Sequence, residues 1–359
     1  MSYIKTLRNK IFILFLIFLT SFCLKGFAQD PNFSQFYNNP IYYNPAFAGY
    51  SDRFDELRSN DPEWTQILRT NYRKFKINVR DKGFHSLSVS YDAGYSPANT
   101  NHSNSIGFGL LALQTQEGYF RTQTIGMVLS SGVRIAKYQK IRFGLTASSM
   151  QKSLLDPDDL VFSSQLDPVR GNIYGSTNEL PSRLNFLNAI DFDAGMVYTL
   201  GFSNTSDPIN NLILGFSAHH LYSTASYTID GNSKNKMPIR YVLQANYNCF
   251  LTRTHSFQQY NRLSFAGIYE NQLKFNTTTL GLNYYTNPMV FGLWFRNIIS
   301  EKSDYSAIVE FGYDLMKHSD SRFLVKTVFN YDFSLNNRRY TYGDSMGISI
   351  IIKQNYLYE

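Results

Sequence analysis

Fourteen segments of this chain alternate apolar and polar residues with a period of two, and no other feature restricts the fold as much. They run near 66–75, 85–95, 104–116, 121–135, 140–150, 190–200, 211–222, 239–251, 261–271, 276–286, 288–298, 304–315, 322–334 and 343–353. In 304–315, Tyr305, Ala307, Val309, Phe311, Tyr313 and Leu315 share one face, while Glu310 and Asp314 fall on the other. Alternation of this kind sends successive side chains to opposite faces of a strand. A soluble sandwich alternates too, so length decides. Most of these segments reach the roughly nine to eleven residues a tilted membrane strand needs, against about five or six for soluble strands. Their apolar faces are almost free of charge, as a lipid-facing wall requires, because an outward Lys or Arg at the bilayer midplane costs about 2–4 kcal/mol. The expectation is an all-β protein, a transmembrane antiparallel β-barrel of 14 strands over residues 64–359. An even strand number closes the sheet with both termini on the periplasmic side, which places the longest connections, about 151–189 and 223–238, outside the cell.

Residues 1–28 read as a secretory signal. Lys5, Arg8 and Lys10 precede an apolar core, Ile11 to Phe22, and Gly26-Phe27-Ala28 offers a small-x-small cleavage site near Ala28/Gln29. Twelve apolar-rich residues are too few to span a bilayer as a helix, and no longer apolar run follows, which excludes a helical inner-membrane protein. Cys23 follows Phe22 rather than the small residue that a lipoprotein signal wants. Removal of the leader takes four basic residues with it, leaving 34 − 4 = 30 against 27 acidic ones, so the net charge falls from +7 to +3. No clustered basic stripe remains, and nucleic acid is excluded as a partner. Cys249 is then the single cysteine, so an exported chain has no internal disulfide.

Residues 29–63 are neither helix-like nor strand-like. Pro31, Pro40 and Pro45 remove backbone donors and push their preceding residues toward extended conformations, while Asn38, Asn39, Asn44 and Gly49 favour turns. Phe33, Phe36, Tyr37, Tyr42, Tyr43 and Phe47 carry too much aromatic surface for a free linker. The segment is therefore expected to dock at the periplasmic side of the barrel as an irregular plug or brace, a partner-docking surface, or both. Asp30-Pro31-x-Phe33-Ser34-Gln35-Phe36 followed by Asn44-Pro45-Ala46-x-x-Gly49 resembles the opening motif of the PorP/SprF family, outer-membrane proteins of the type IX secretion and gliding systems of Bacteroidetes. Tyr72-Arg73 and Leu155-Asp-Pro-Asp-Asp159 are similar to two weaker landmarks of that family. The usual Asn-Gln-Trp after the Tyr-Arg is replaced by Lys74-Phe75-Lys76, and Phe36 stands where Tyr is commoner.

No catalytic constellation emerges, and no cofactor or metal site is expected. On a regular strand His219 and His220 project to opposite faces and cannot jointly ligate a metal. Ser217, His220 and Asn246 supply the residue types of an outer-wall hydrolase, but Ser217 is expected on the face opposite His220. Asp156-Pro-Asp-Asp159, with Asp167-Pro168 behind it, lacks the alternating ligands and glycine of a calcium loop and reads as a capped turn. Arg69 and Arg73 share a face with Asn71 and point into the lumen if Tyr72 points out, where Glu310, Asp314 and Asp332 are candidate partners for lumen charge pairs. Inward Leu111, Leu113, Trp294 and Phe250 favour a filled lumen.

The resemblance implies a non-enzymatic accessory of type IX secretion, binding a cognate secreted protein, such as a large adhesin, through its C-terminal sorting domain for export and surface anchoring. It also implies possible contacts with periplasmic secretion or gliding machinery, in addition to outer-membrane lipid. Two other readings are compatible with a barrel of this size: a small-solute pore or transporter, and a structural adaptor that ties periplasmic machinery to the outer membrane.

Overall fold

A computed structural model describes residues 30–50, 63–75, 83–96, 104–136, 138–155, 166–167, 171–172, 187–202, 210–223, 237–254, 259–286, 288–299, 304–315, 323–336 and 344–354. The strands are β1 (Glu63–Phe75), β2 (His85–Ser96), β3 (Asn104–Glu117), β4 (Phe120–Ala136), β5 (Gln139–Leu154), β6 (Leu166–Asp167), β7 (Gly171–Asn172), β8 (Leu187–Phe202), β9 (Asn210–Ser223), β10 (Arg240–Thr254), β11 (Gln259–Gln272), β12 (Phe275–Thr286), β13 (Met289–Ile299), β14 (Asp304–Asp314), β15 (Phe323–Ser334) and β16 (Ser345–Gln354). All but β6 and β7, which pair with each other in the β5–β8 connection, form one closed sheet of fourteen strands. Every neighbour in it is antiparallel. β1 closes the ring against β16, from Gln66 opposite Gln354 to Phe75 opposite Ser345. Each of the fourteen expected segments is a strand, and the bounds move by only a few residues, as at β5, which runs on to Leu154. Among the described residues, no helix is long and apolar enough to cross a membrane.

The alternation separates two walls. Ile125, Leu145 and Leu293 point outward and are 68%, 64% and 60% exposed, in a belt that also carries Phe265, Phe295, Phe311 and Phe329. Lipid is the solvent this wall fits. The other face of the same strands is buried. It carries Val128, Val197, Val242, Val290 and Val328 together with Arg69, Arg73, Arg142, Arg296, Asp92, Glu310 and Asp332. Buried ions are tolerated only when paired and hydrogen-bonded, so something other than water must meet them.

Strand order also defines two mouths. β5, β9 and β15 end at one, where β8, β10 and β16 begin; β1 starts at the other, beside the ends of β2, β8 and β16.

Candidate functional site

Residues Pro31–Tyr50 meet the buried ions. They form three short turns, a 3-10 turn at Phe36–Asn38, one α-turn at Pro40–Tyr43 and a second 3-10 turn at Pro45–Phe47. Pro40 and Pro45 each occupy the first helical positions, where a missing N–H removes nothing. Asn44 caps the last turn, its Oδ1 accepting from the Ala46 N–H at 3.0 Å. Such short turns leave many backbone groups unsatisfied, and the barrel's inner wall supplies their partners.

The path begins near the mouth where β5 and β9 end. Asn32 donates to Glu270 Oε1 at 2.7 Å, and its carbonyl accepts from Arg73 Nη1, both partners lying two residues from the ends of their strands. Ser34 donates to Asp332 Oδ2 at 2.6 Å, and the same oxygen accepts from Arg73 Nη2 and Arg296 Nη1, each at 2.9 Å. Gln35 donates to Asn330 Oδ1 at 2.9 Å, while Asn330 in turn donates to Asp332 Oδ1. Arg240, the first residue of β10, donates to the Tyr42 hydroxyl at 2.8 Å and lies over that ring.

Deeper in, an aromatic knot fills the bore. Tyr37 stacks on Trp294 with ring centroids 5.4 Å apart, and Phe36 meets the same indole edge-on at 5.3 Å. Both polar tips converge on Glu310 Oε2, from the Tyr37 hydroxyl at 2.6 Å and the Trp294 N–H at 2.8 Å. Phe33, Ile41, Tyr42 and Tyr43 complete the packing against Leu111, Val128 and Val242. Full burial of a side chain of this class is worth roughly 1.5–3 kcal/mol.

The segment leaves at the other mouth. Asn44 Nδ2 donates to the carbonyls of Met196 and Phe216, each at 3.1 Å, which pins it to the β8–β9 seam. Arg142 donates to the Ala46 carbonyl at 3.1 Å and to the Ala48 carbonyl at 2.8 Å, and Ser130 donates to the latter at 2.7 Å. Gly49 donates to Asp92 Oδ2 at 3.1 Å. Its φ of 60° and the Gly94 Cα, which would lie 2.5 Å from any added Cβ, leave room for glycine alone. Tyr50 bonds Thr199 at 2.9 Å, close to the end of β8.

These contacts correct several expectations. The segment is threaded through the lumen instead of docking at one mouth, and its start lies at the mouth opposite the one where β1 begins. Phe33, Ser34, Gln35, Phe36, Asn44, Pro45, Ala46 and Gly49 are contact residues of that threaded segment; Pro31 offers its carbonyl to the Tyr42 hydroxyl, and Asp30 is half-buried. Arg73 pairs with Asp332. Arg69 pairs with Asp92, a carboxylate left out of the expected set, and Glu310 serves Tyr37 and Trp294. Asp314 ends β14 at the β1-side mouth, where its N–H donates to the Pro288 carbonyl. Arg142, Arg240, Arg296, Glu270 and Asn330 also escaped the sequence reading. Inward Leu111, Leu113 and Trp294 do pack in the lumen.

His219 and His220 do not project to opposite faces. A bulge between Phe192 and Ala194 sets Asp193 against three residues of β9, and both histidines are buried. Ser217 therefore does not lie on the face opposite His220: both are buried, with Ser217 Oγ donating to the Tyr43 carbonyl at 2.5 Å and lying 3.2 Å from His219 Nε2, while Asn246 Oδ1 accepts from Ser264. The leader, the cleavage site and Asp156–Asp159 lie outside the described residues.

The family model for the type IX secretion system membrane protein PorP/SprF matches residues 25–351, which takes in the threaded segment and nearly the whole barrel. The chain belongs to the PorP/SprF family. It is accordingly an outer-membrane β-barrel protein of type IX secretion. No curated protein matches it in sequence. Among solved structures it is similar to the monoaromatic hydrocarbon channel CymD, at 12% identity and a TM-score of 0.48 over 89% of this chain and 99% of that one. It is also similar to the Ralstonia pickettii toluene transporter TbuX, at 11% identity and a TM-score of 0.43 over 88% and 92%.

Proposed function

We propose that this PorP/SprF barrel is a non-enzymatic scaffold, which binds a secreted protein by its C-terminal sorting domain and holds it at the cell surface. One observation carries the reading: Pro31–Tyr50 occupies the bore from mouth to mouth, in contact with charged and aromatic side chains around the inner wall. A conduit for solutes needs a wet lumen, and this one is packed. The working surfaces are therefore the mouths. With the strand termini in the periplasm, as even-stranded barrels place them, the Asn32–Ser34 end faces the cell surface, and the Gly49–Tyr50 end faces periplasmic machinery.

A mild-detergent pull-down of the tagged protein from outer membranes of its native host tests this. Recovery of a large surface protein, lost when that protein's C-terminal domain is deleted, is the expected result. Recovery of periplasmic machinery alone would replace the anchor with an adaptor that links that machinery to the membrane.

A further inference from the structure

Among the described residues, one group of metal-ligating side chains lies on the inner wall where β8 and β9 meet. It exists because the sheet is irregular there. Phe192 pairs with Tyr222 and Ala194 with Ala218, so Asp193 alone faces His219, His220 and Leu221. His220 adopts a φ of 60°, a left-handed conformation that is uncommon for any residue with a Cβ. Regular alternation would send one of two adjacent histidines into lipid; the bulge turns both inward, at 3% and 9% exposure. Bulges that re-aim a side chain in this way cluster beside functional sites.

Asp191 and Asp193, two apart on β8, share the inner face with them. His220 Nδ1 is in contact with Asp191 Oδ2, and the His220 N–H donates to Asp193 Oδ1 at 3.0 Å. One carboxylate oxygen from each aspartate and one ring nitrogen of His220 all lie within 4.8 Å of one another. Ligands bound at about 2.0–2.2 Å to one tetrahedral ion lie roughly 3.4 Å apart, so a cation would displace the proton between His220 and Asp191, open that contact and draw the Asp193 oxygen in. Two hard carboxylates and one imidazole form a donor set for zinc or a similar divalent transition metal. The pair of aspartates is nearly shielded from water, and a dication would neutralise both at once.

We propose that Asp191, Asp193 and His220 hold one divalent transition-metal cation. The neighbouring His219 connects this site to the threaded segment, with Nδ1 3.3 Å from Asp193 Oδ2 and Nε2 3.0 Å from the Tyr43 carbonyl. A ligand held by an outer partner in this manner is fixed in orientation. The bound cation thus also steadies the Tyr43–Asn44 corner, and the proposal is independent of which cargo the barrel takes.

The probe is zinc. Full-length protein purified from outer membranes is stripped with chelator, dialysed against zinc, and its metal content measured beside its thermal midpoint. The expected result is one zinc per barrel with a raised midpoint, and at least a tenfold weaker affinity in His220→Asn, which tolerates the left-handed backbone, and in Asp193→Asn. If either variant fails to give a heat-modifiable barrel, the other assigns the site. Wild-type protein that retains no zinc, or variants that bind it as tightly as wild type, would overturn the proposal and leave a set of His–Asp ion pairs.

Discussion

The outer and inner walls of this barrel are made by the same fourteen strands, one residue out of step, and they solve opposite problems. Outside, Leu145, Leu293 and Ile125 need nothing but lipid, and their identity beyond being apolar is loosely constrained. Inside, Asp332, Arg73, Arg296 and Glu310 need particular partners at particular distances, and Asp332 and Glu310 find theirs in part at Ser34 and Tyr37, 298 and 273 residues away in sequence. Specificity resides on the inner wall. The lipid wall makes the chain a barrel; the lumen wall makes it a barrel closed by its own N-terminal segment.

Replacement of Asp332 by Ala attacks the inner wall where it is most demanding. It leaves two buried guanidiniums and the Ser34 hydroxyl without their shared acceptor, and breaking a buried ion pair in this way costs about 3–5 kcal/mol. The thermal midpoint of the purified barrel is expected to fall steeply, with Pro31–Tyr50 opening to protease first. Leu293→Arg tests the outer wall, and should cost about 2–4 kcal/mol of folding stability in bilayers if Leu293 sits near the midplane. Here the threaded segment should remain protected, because the damage lies on the other face. A midpoint unchanged in lipid would mean that this wall is not lipid-facing.

Gly144→Ala adds one methyl group to the inner wall. The new Cβ would lie 2.3 Å from the Pro45 carbonyl carbon and from the Ala46 nitrogen, so either β5 or the threaded backbone must move. Overpacking of this kind costs about 1–3 kcal/mol. Faster amide exchange at Ala46–Tyr50, with β5 still protected, is the expected signature.

The strands were legible in the sequence because lipid imposes a strict alternation, which fourteen segments obey. The lumen was legible only in part. Aromatic density in Phe33–Phe47 announced a docked segment, yet no local pattern distinguishes a mouth from a bore, since that depends on how wide the closed ring leaves its interior. Arg69 with Asp92 was within reach, because Asp92 stands opposite Ile67, two residues along the β1–β2 register. Arg296 with Asp332 was harder, since those residues sit on β13 and β15, which are not neighbours. Regular alternation puts the two histidines on opposite faces, and a bulge leaves no mark in hydrophobicity that would say otherwise. Its one available signal was the Asp191-x-Asp193 spacing facing a His-His pair across a seam.

The most direct test of the filled lumen is single-channel recording in planar bilayers, on the full-length barrel and on a form lacking Pro31–Gly49. A silent full-length protein and a deletion form that inserts and conducts steadily are the predicted pair. Large, steady conductance from the full-length protein would contradict a bore closed by Pro31–Tyr50 and return the protein to the class of solute pores.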